Sequence, residues 1–321
     1  MNIAIGSNAL QRGTCQLLAL NKFAVSQWLK TFDTVLFDGD GVLWNRQEAI
    51  KGAPQTFNAI RAMGKNAFVC SNHSATSRRE LCQRARQMGL LISEDGMISS
   101  AATMARYLQE RKFQRKVYIV GEQGIAEELL AAGIKALPLD TEPMLSGNMQ
   151  EHVKAMHMEP NVGAVVVGVD KHFSTRKLAK ACSYLMDPSV LFLATNRDRS
   201  FPISAERHVP DADVMVSSIQ AVVKRKPFTC GKPNPYMCSH LIRNGVIKPE
   251  RTLMIGDTLY TDIQFGYNCG FQTLMVGTGV SSLADVKLAE QSAHPLMYQR
   301  VPNLYLPSLG DLLKFLPSRN G

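Results

Sequence analysis

The sequence predicts an α/β protein built on a parallel sheet, and two observations lead to this prediction. Short apolar runs alternate along the chain with longer segments of helical periodicity, which is the pattern of parallel strands joined by crossover helices. Several apolar runs also end in polar or charged residues, as strands do where a parallel sheet binds its ligands. A length of 321 residues is sufficient for two domains of ordinary size.

The first series of elements follows a leader that we place at residues 1–21. The leader is poor in arginine and only weakly amphipathic, which favours an unstructured or loosely docked segment over a mitochondrial presequence. Strands are then predicted at 34–37, 66–70 and 97–100, and helices at 22–31, 55–63, 77–88 and 101–111.

A second alternation of strands and helices occupies the middle of the chain, and this block can bury its own core. It has predicted strands at 117–120, 162–167 and 191–195, and helices that end at 130 and span 177–186 and 213–225. The first pattern then resumes, with helices at 236–244 and 263–268 and strands at 251–255 and 273–276. We therefore predict a core domain at 22–113 and 227–321 and an inserted domain at 114–226.

The composition limits the classes of function. Hydrophobic residues form 45% of the chain and charged residues 20%, as in globular proteins, and no apolar run is long enough to cross a bilayer. The net charge of +9 is dispersed, so we expect no nucleic-acid partner. Seven scattered cysteines without a C-x-x-C pair argue against a zinc ribbon or a disulfide framework. They fit a reducing compartment, and we expect the cytoplasm, with the mitochondrion less favoured.

The polar residues at the strand ends form an ordered set. They are Asp38 and Asp40, Ser71 and Asn72, Lys232, and Asp257 and Asp262. A parallel sheet would bring them to one edge. Phosphoryl transfer through an aspartyl intermediate needs a carboxylate nucleophile and a second acid, with a hydroxyl and a lysine to hold the phosphoryl oxygens. Hard oxygen ligands of this kind select Mg²⁺.

Taken one at a time, these signals have simpler explanations. Residues 38–41 could form a solvated Asx turn, Ser71 could be a helix N-cap, and Lys232 could lie in a surface turn. The signals occur together and in order, which favours the catalytic interpretation. The glycines within 121–124 form only an incomplete dinucleotide fingerprint, and we interpret them as a tight turn.

The same stretches resemble the haloacid dehalogenase-like (HAD) hydrolase superfamily, which implies a Rossmann-like parallel-sheet core with an inserted α/β cap of the C2 type. The matching stretches are residues 38–44, 71–72, 231–233 and 256–263, with the cap stretches 165–168 and 191–196. More narrowly, the sequence is similar to the eukaryotic 4-nitrophenylphosphatases, a branch that includes phosphoglycolate and pyridoxal phosphate phosphatases. The similarity covers residues 24 to about 280.

The resemblance implies a nucleophile and a metal site. Asp38 would be the nucleophile and a Mg²⁺ ligand, and Asp257 would be the second carboxylate on the metal. Asp40 would be the general acid and base, and its backbone carbonyl would reach the metal. This division is physically reasonable, because a metal and a lysine keep Asp38 ionised, whereas Asp40, directed away from the metal, can hold a proton.

The resemblance also implies a set of substrate-binding residues. Ser71 and Asn72 would hold the transferred phosphoryl group. Lys232 would draw the charges of the nucleophile and the phosphate together, and Asp262 would act on Lys232 or on a metal-bound water. His73 stands where relatives carry a second asparagine, and it either contacts the substrate or hydrogen-bonds its own loop.

Two further departures from the family pattern concern the substrate. Pyridoxal phosphate phosphatases carry a histidine where Phe201 stands, which weakens that assignment. The loop after Pro210 is glycine-rich in relatives, and this chain has Asp211 and Asp213 there. These differences leave every catalytic group in place, so they bear on specificity.

The function implied by the resemblance is that of a Mg²⁺-dependent phosphoric monoester hydrolase. It would act through a phospho-aspartate on small phosphorylated metabolites, with phosphoglycolate-like or aryl phosphates preferred. A homodimer formed through the cap is also implied. The alternatives are a pyridoxal phosphate phosphatase or a protein-phosphotyrosine phosphatase on the same scaffold, and a catalytically silent binding protein. Retention of Asp38, Asp40, Lys232 and Asp257 argues against the silent protein.

Overall fold

A seven-stranded parallel sheet dominates the computed structural model, which describes residues 13–45, 47–141, 148–204 and 206–317. The strands are β1 Cys15–Gln16, β2 Thr34–Phe37, β3 Trp44–Asn45, β4 Glu48–Ala49, β5 Asn66–Ser71, β6 Met97–Ser99, β7 Lys116–Val120, β8 Val162–Val167, β9 Leu191–Ala194, β10 Ser200–Ser204, β11 Arg207–Pro210, β12 Phe228–Thr229, β13 Thr252–Gly256, β14 Gln272–Val276 and β15 Leu304–Leu306. The helices are α1 Lys22–Leu29, α2 Ala53–Ala62, α3 Arg78–Gln87, α4 Ser100–Glu110, α5 Gln123–Ala131, α6 Met149–Ala155, α7 Thr175–Leu185, α8 Ala212–Val223, α9 Tyr236–Arg243, α10 Gln264–Cys269, α11 Leu283–Gln291 and α12 Pro295–Tyr298.

The core sheet has the strand order β1-β15-β14-β13-β2-β5-β6, and all of its neighbouring pairs are parallel. The strand β2 lies inside this sheet between β13 and β5, and all of its residues are buried. Val35 and Phe37 face one cluster of core side chains and Leu36 faces another. A strand covered on both faces requires a continuous apolar run. The predicted α/β class with a parallel sheet is confirmed.

A second parallel sheet, which we call the cap sheet, has the strand order β12-β9-β8-β7. The helices α7 and α8 cover one of its faces, and α4 and α5 cover the other. Phe228 of β12 pairs with Leu193 of β9. The boundary that we predicted at residue 227 is therefore too early, because the chain leaves the cap sheet only after Thr229.

The chain before α1 is more structured than we predicted. Residues 1–12 of the predicted leader lie outside the described residues, but β1 pairs with β15 and extends the core sheet. Leu17 follows in a short 3-10 turn, is fully buried and belongs to the main core cluster. The prediction of a loosely docked leader is therefore wrong for residues 15–19. A two-residue strand gives no periodic signal, so the sequence pattern could not reveal it.

The remaining differences between prediction and structure concern short elements. The hairpins β3–β4 and β10–β11 and the helix α6 were not predicted, nor were the elements that follow β14. Longer elements lie close to their predicted positions, and Ser77 caps α3 through a capping box with Glu80. Within the described ranges, no helix combines the length and the apolar character needed to span a bilayer.

Candidate active site

The carboxyl ends of β2 and β13 bring three aspartates together. Because these strands are neighbours in the sheet, Asp38 and Asp257 leave it side by side. A π-helical turn at Leu259–Ile263 then directs Asp262 to the same place. Carboxylate oxygens of all three residues lie within 4.8 Å of one another, and all three residues are buried.

Lys232 supplies positive charge to this group. Its ammonium Nζ lies 2.6 Å from Oδ1 of Asp38 and 2.6 Å from Oδ1 of Asp262. Burial alone would lower the pKa of Lys232, but the carboxylates of Asp262 and Asp38 outweigh burial and raise that pKa well above its ordinary value. Burial also raises the pKa of Asp38, and the ammonium of Lys232 opposes that rise. The site therefore holds a charged lysine between two carboxylates.

Backbone N–H groups hold the other two aspartates in place. Oδ2 of Asp262 accepts hydrogen bonds from the N–H groups of Asp257 at 3.2 Å and Thr258 at 3.1 Å. Oδ2 of Asp257 accepts one from the N–H of Val280 at 2.7 Å. Burial, followed by the neighbouring charge of Asp262, raises the pKa of Asp257 to about 7. A backbone hydrogen bond thus holds the carboxylate of Asp257 in place, and the positive charge around it does not offset its burial and the charge of Asp262.

Two glycines allow the backbone to approach Asp257. A Cβ atom added to Gly41 would lie 2.4 Å from Oδ2 of Asp257, and one added to Gly279 would lie 1.8 Å from the same atom. Gly41 also has a φ of +83°, a left-handed conformation that side chains other than glycine rarely adopt. Both glycines are therefore required by the packing around the carboxylate.

The carboxylate oxygens of Asp38, Asp257 and Asp262 are suitable ligands for the metal that the family resemblance implies. Three buried carboxylates beside one lysine leave an excess of negative charge, which a divalent cation would offset. Oxygen ligands of this kind suit Mg²⁺, which typically takes one or two carboxylates and keeps several waters. Of the predicted ligands, Asp38 and Asp257 lie in this group. The side chain of Asp40 is exposed and lies outside it.

Asp40 lies in a tight turn that follows Asp38. The carbonyl of Gly39 accepts hydrogen bonds from the N–H groups of Leu43 at 2.9 Å and Trp44 at 3.1 Å. The indole of Trp44 is fully buried under this turn, and Arg84 lies over the ring at 5.3 Å from its centroid. The buried indole thus supports the turn, while the side chain of Asp40 remains accessible to solvent.

The last residue of β5 and the loop that follows it supply the predicted phosphate-binding residues. Oγ of Ser71 accepts a hydrogen bond from the N–H of His73 at 3.1 Å, which leaves the hydroxyl proton of Ser71 to donate elsewhere. The side-chain amide of Asn72 binds Lys232 and Asp198, so any contact between Asn72 and a phosphoryl group is left to its backbone N–H. Burial lowers the pKa of His73, so its ring is neutral at pH 7.

The structure also brings residues to the site that we did not predict there. Val280 and Gly279 follow β14, and they contact Asp257 through a backbone N–H and through close packing. Asp198 follows β9 of the cap sheet and accepts a hydrogen bond from Asn72. Both segments are polar or glycine-containing stretches just after a strand, which is the signal that identified the other site residues.

Comparisons with known proteins show which proteins this chain resembles. A family model described as haloacid dehalogenase-like hydrolase matches residues 35–135, and a HAD-hydrolase-like model matches residues 229–312. The sequence is 36% identical over 296 residues to the glycerol-3-phosphate phosphatase of Rattus norvegicus, covering 90% of this chain and 92% of that protein. It is 37% identical over 289 residues to chronophin of Bos taurus, covering 88% and 92%.

The solved structures give the same result. The 4-nitrophenylphosphatase of Thermotoga maritima superposes with a TM-score of 0.72 and is 26% identical in sequence. The superposition covers 89% of this chain and 98% of that protein. The likeness therefore extends over nearly the whole of both chains.

Proposed function

The chain belongs to the haloacid dehalogenase-like hydrolases and is a phosphoric monoester hydrolase, and from this premise we propose that it hydrolyses small phosphomonoesters with Asp38 as nucleophile and Mg²⁺ as cofactor. One observation carries this proposal. The carboxylates of Asp38, Asp257 and Asp262 lie within 4.8 Å of one another, and Lys232 joins the first and the last through contacts of 2.6 Å.

In the first step, a carboxylate oxygen of Asp38 forms a bond to phosphorus while the bond from phosphorus to the ester oxygen breaks. Asp40 donates a proton to the departing oxygen, which leaves as an alcohol. In the second step, Asp40 takes a proton from a water molecule as that water attacks phosphorus. The bond between phosphorus and Asp38 then breaks, and inorganic phosphate and the free carboxylate are formed.

The other residues hold the phosphoryl group and offset its charge. Ser71 donates its hydroxyl proton to a phosphoryl oxygen, and Lys232 places its ammonium next to the nucleophile. Asp38, Asp257 and the backbone carbonyl of Asp40 would hold Mg²⁺, and Asp262 would support Lys232. When bound, the metal would stabilise the negative charge that accumulates on the phosphoryl oxygens.

The test compares Asp38→Asn with the wild type, using 4-nitrophenyl phosphate. We expect the variant to lose turnover by at least about 10³-fold, since an amide cannot act as the nucleophile. Its thermal unfolding should stay cooperative. Asp33→Asn is the matched control, because Asp33 precedes the same strand but is exposed and binds Arg251. A chelator should abolish wild-type activity and added Mg²⁺ should restore it. Wild-type turnover by Asp38→Asn would contradict the proposal.

The substrates we propose are small and carry an unhindered phosphate. Relatives named glycerol-3-phosphate phosphatase and a structural neighbour named 4-nitrophenylphosphatase support this class. A panel of glycerol 3-phosphate, phosphoglycolate, pyridoxal phosphate and a phosphotyrosine peptide separates the alternatives by kcat/KM. Preference for the peptide by tenfold or more would contradict a small-metabolite enzyme.

We also propose that the protein forms a homodimer through its cap. The helix α8 supports this proposal, since Val214 and Val222 are exposed on it at 43% and 56%. Light scattering after size exclusion measures the mass directly. Val214→Glu with Val222→Glu should convert a dimer to a monomer, and a wild-type monomer at micromolar concentration would contradict this proposal.

A further inference from the structure

The position of Lys232 depends on the cap sheet. The chain returns from that sheet through β12, and the N–H of Cys230 donates to the carbonyl of Ala194 at 2.8 Å. The N–H of Gly231 then donates to the carbonyl of Thr195 at 2.7 Å. The residue immediately before Lys232 is therefore held by the end of a cap strand, not by the core sheet.

The side chain of Asn72 fixes the same segment from the core side. Its Oδ1 accepts a hydrogen bond from the N–H of Lys232 at 2.8 Å, and its Nδ2 donates to the carbonyl of Lys232 at 3.2 Å. A Cβ atom at Gly231 would lie 2.5 Å from Oδ1 of Asn72, so this close contact requires a glycine. The amide thus binds both polar groups of the Lys232 backbone.

Asp198 holds that amide in the orientation that the backbone of Lys232 requires. Its Oδ2 accepts a hydrogen bond from Nδ2 of Asn72 at 2.8 Å and another from Nδ2 of Asn196 at 2.7 Å. Oδ2 is the acceptor in both hydrogen bonds, so Asp198 favours the orientation with the NH₂ of Asn72 toward it. In the reverse orientation, that NH₂ would face the N–H of Lys232, and two donors would oppose each other.

Asp198 itself is held by the cap. Its backbone carbonyl accepts a hydrogen bond from the N–H of Asp213 at 3.0 Å, in the first turn of α8. The N–H of Asp211 donates to the carbonyl of Arg199 at 2.9 Å. These contacts connect α8 to the loop of Asp198, and through Asn72 to the backbone of the catalytic lysine.

We propose that Asp198 is a positioning residue for Lys232: by holding the amide of Asn72 in place, it allows the cap to set the distance between the lysine ammonium and Asp38. The inference rests on the proposed function. Misplacement of a catalytic group by about 1 Å can reduce a rate by about 100-fold. The cap is thereby part of the catalytic geometry in addition to covering the site.

Three variants test this inference with 4-nitrophenyl phosphate and saturating Mg²⁺. Asp198→Ala removes the acceptor, and we expect kcat to fall about 10- to 100-fold. Asp198→Asn keeps one oxygen that can accept both hydrogen bonds, so kcat should stay within about 3-fold of wild type. Asp187→Ala is the matched control, because Asp187 is an exposed aspartate of the same domain whose side chain accepts a hydrogen bond from the N–H of Ser189. It should leave kcat unchanged. Thermal unfolding of each variant verifies that it is folded.

A double variant separates positioning from a merely structural effect. If Asp198 acts through Asn72, the double variant Asn72→Ala/Asp198→Ala should lose no more kcat than Asn72→Ala alone. Additive losses, or a wild-type kcat for Asp198→Ala, would overturn the inference and leave the proposed function intact. An equal loss in Asp198→Asn and Asp198→Ala would also overturn it, because charge would then matter instead of orientation. A wild-type protein without phosphatase activity would overturn both.

Discussion

Replacing Lys232 by methionine should reduce both the stability and the activity of the protein. The lysine side chain is 2% exposed, and its ammonium is 2.6 Å from both Asp38 and Asp262. Loss of one partner from a buried ion pair costs about 3–5 kcal/mol of stability, because the remaining charge is left buried and unpaired. Loss of one preorganised charge from a transition state costs about 10²–10³-fold in kcat.

A matched control is provided by a second buried ion pair in the cap. Nζ of Lys177 lies 2.6 Å from Oδ2 of Asp170, and both side chains are 1% exposed. Lys177→Met should therefore lose a similar free energy of unfolding, about 3–5 kcal/mol, without a change in kcat. The two variants have the same substitution and similar burial, and they differ in whether the lysine lies beside Asp38, the proposed nucleophile.

The assay measures kcat with saturating 4-nitrophenyl phosphate and Mg²⁺, and the free energy of unfolding in urea. We expect Lys232→Met to lose both stability and kcat, and Lys177→Met to lose stability alone. If Lys232→Met kept its kcat within about threefold of wild type, the role of the lysine charge would be refuted. If both variants lost kcat equally, the loss would be a consequence of instability.

Three further predictions concern stability and the metal site. Asp211→Asn should stabilise the protein at pH 8 by about 1–2 kcal/mol. The full rise in the folded-state pKa of Asp211 would correspond to roughly 3 kcal/mol, and solvent screening reduces this value. Burial raises the folded pKa of Asp211 to about 6, so stability is lost as the pH rises from about 4 to 6, and this loss persists above 6. Gly279→Ala should reduce kcat at least about 10²-fold, since its Cβ would lie 1.8 Å from Oδ2 of Asp257. Leu17→Ala should cost about 2–5 kcal/mol in urea denaturation, because Leu17 is fully buried in the core.

Each of these predictions has a control or a contradicting result. Equal effects of Asp211→Asn at pH 4 and pH 8 would contradict the raised pKa. Gly13→Ala is the control for the glycine variant, since a Cβ there meets nothing within 4 Å and the backbone of Gly13 is not left-handed, and it should keep the wild-type kcat. Leu18 is 38% exposed, so Leu18→Ala should cost less than about 1 kcal/mol. A Leu17→Ala variant as stable as wild type would mean that residues 15–19 are not part of the core.

The positions of Asp38 and Asp257 follow from the sequence because each comes directly after a short apolar strand. Once the sheet is known to be parallel, the carboxyl ends of its strands must meet at one edge. A local pattern and one topological rule are therefore sufficient to predict that both residues lie at the same edge. That β2 and β13 are direct neighbours is a finding of the structure, because the inserted domain separates these strands in the chain.

The contacts of Asn72 and Asp198 could not be derived in the same way. They join two sheets whose relative position depends on the packing of α4 and α5 between them, and no local pattern encodes that packing. The pairing of β1 with β15 is a similar case, because it joins strands near opposite ends of the chain. The assignment of β12 to the cap sheet likewise depended on a two-residue pairing with β9. Hydrophobic periodicity does not predict the pairing of such short strands when they lie far apart in the chain.

The central claim is that Asp38 carries the phosphoryl group during turnover. Rapid quenching of the enzyme with substrate, followed by borohydride reduction, converts an aspartyl phosphate to homoserine, which peptide mass spectrometry locates. The account predicts homoserine at position 38 in the wild type, and none in Asp38→Asn or without substrate. Modification at another residue, or none under conditions of steady turnover, would contradict it.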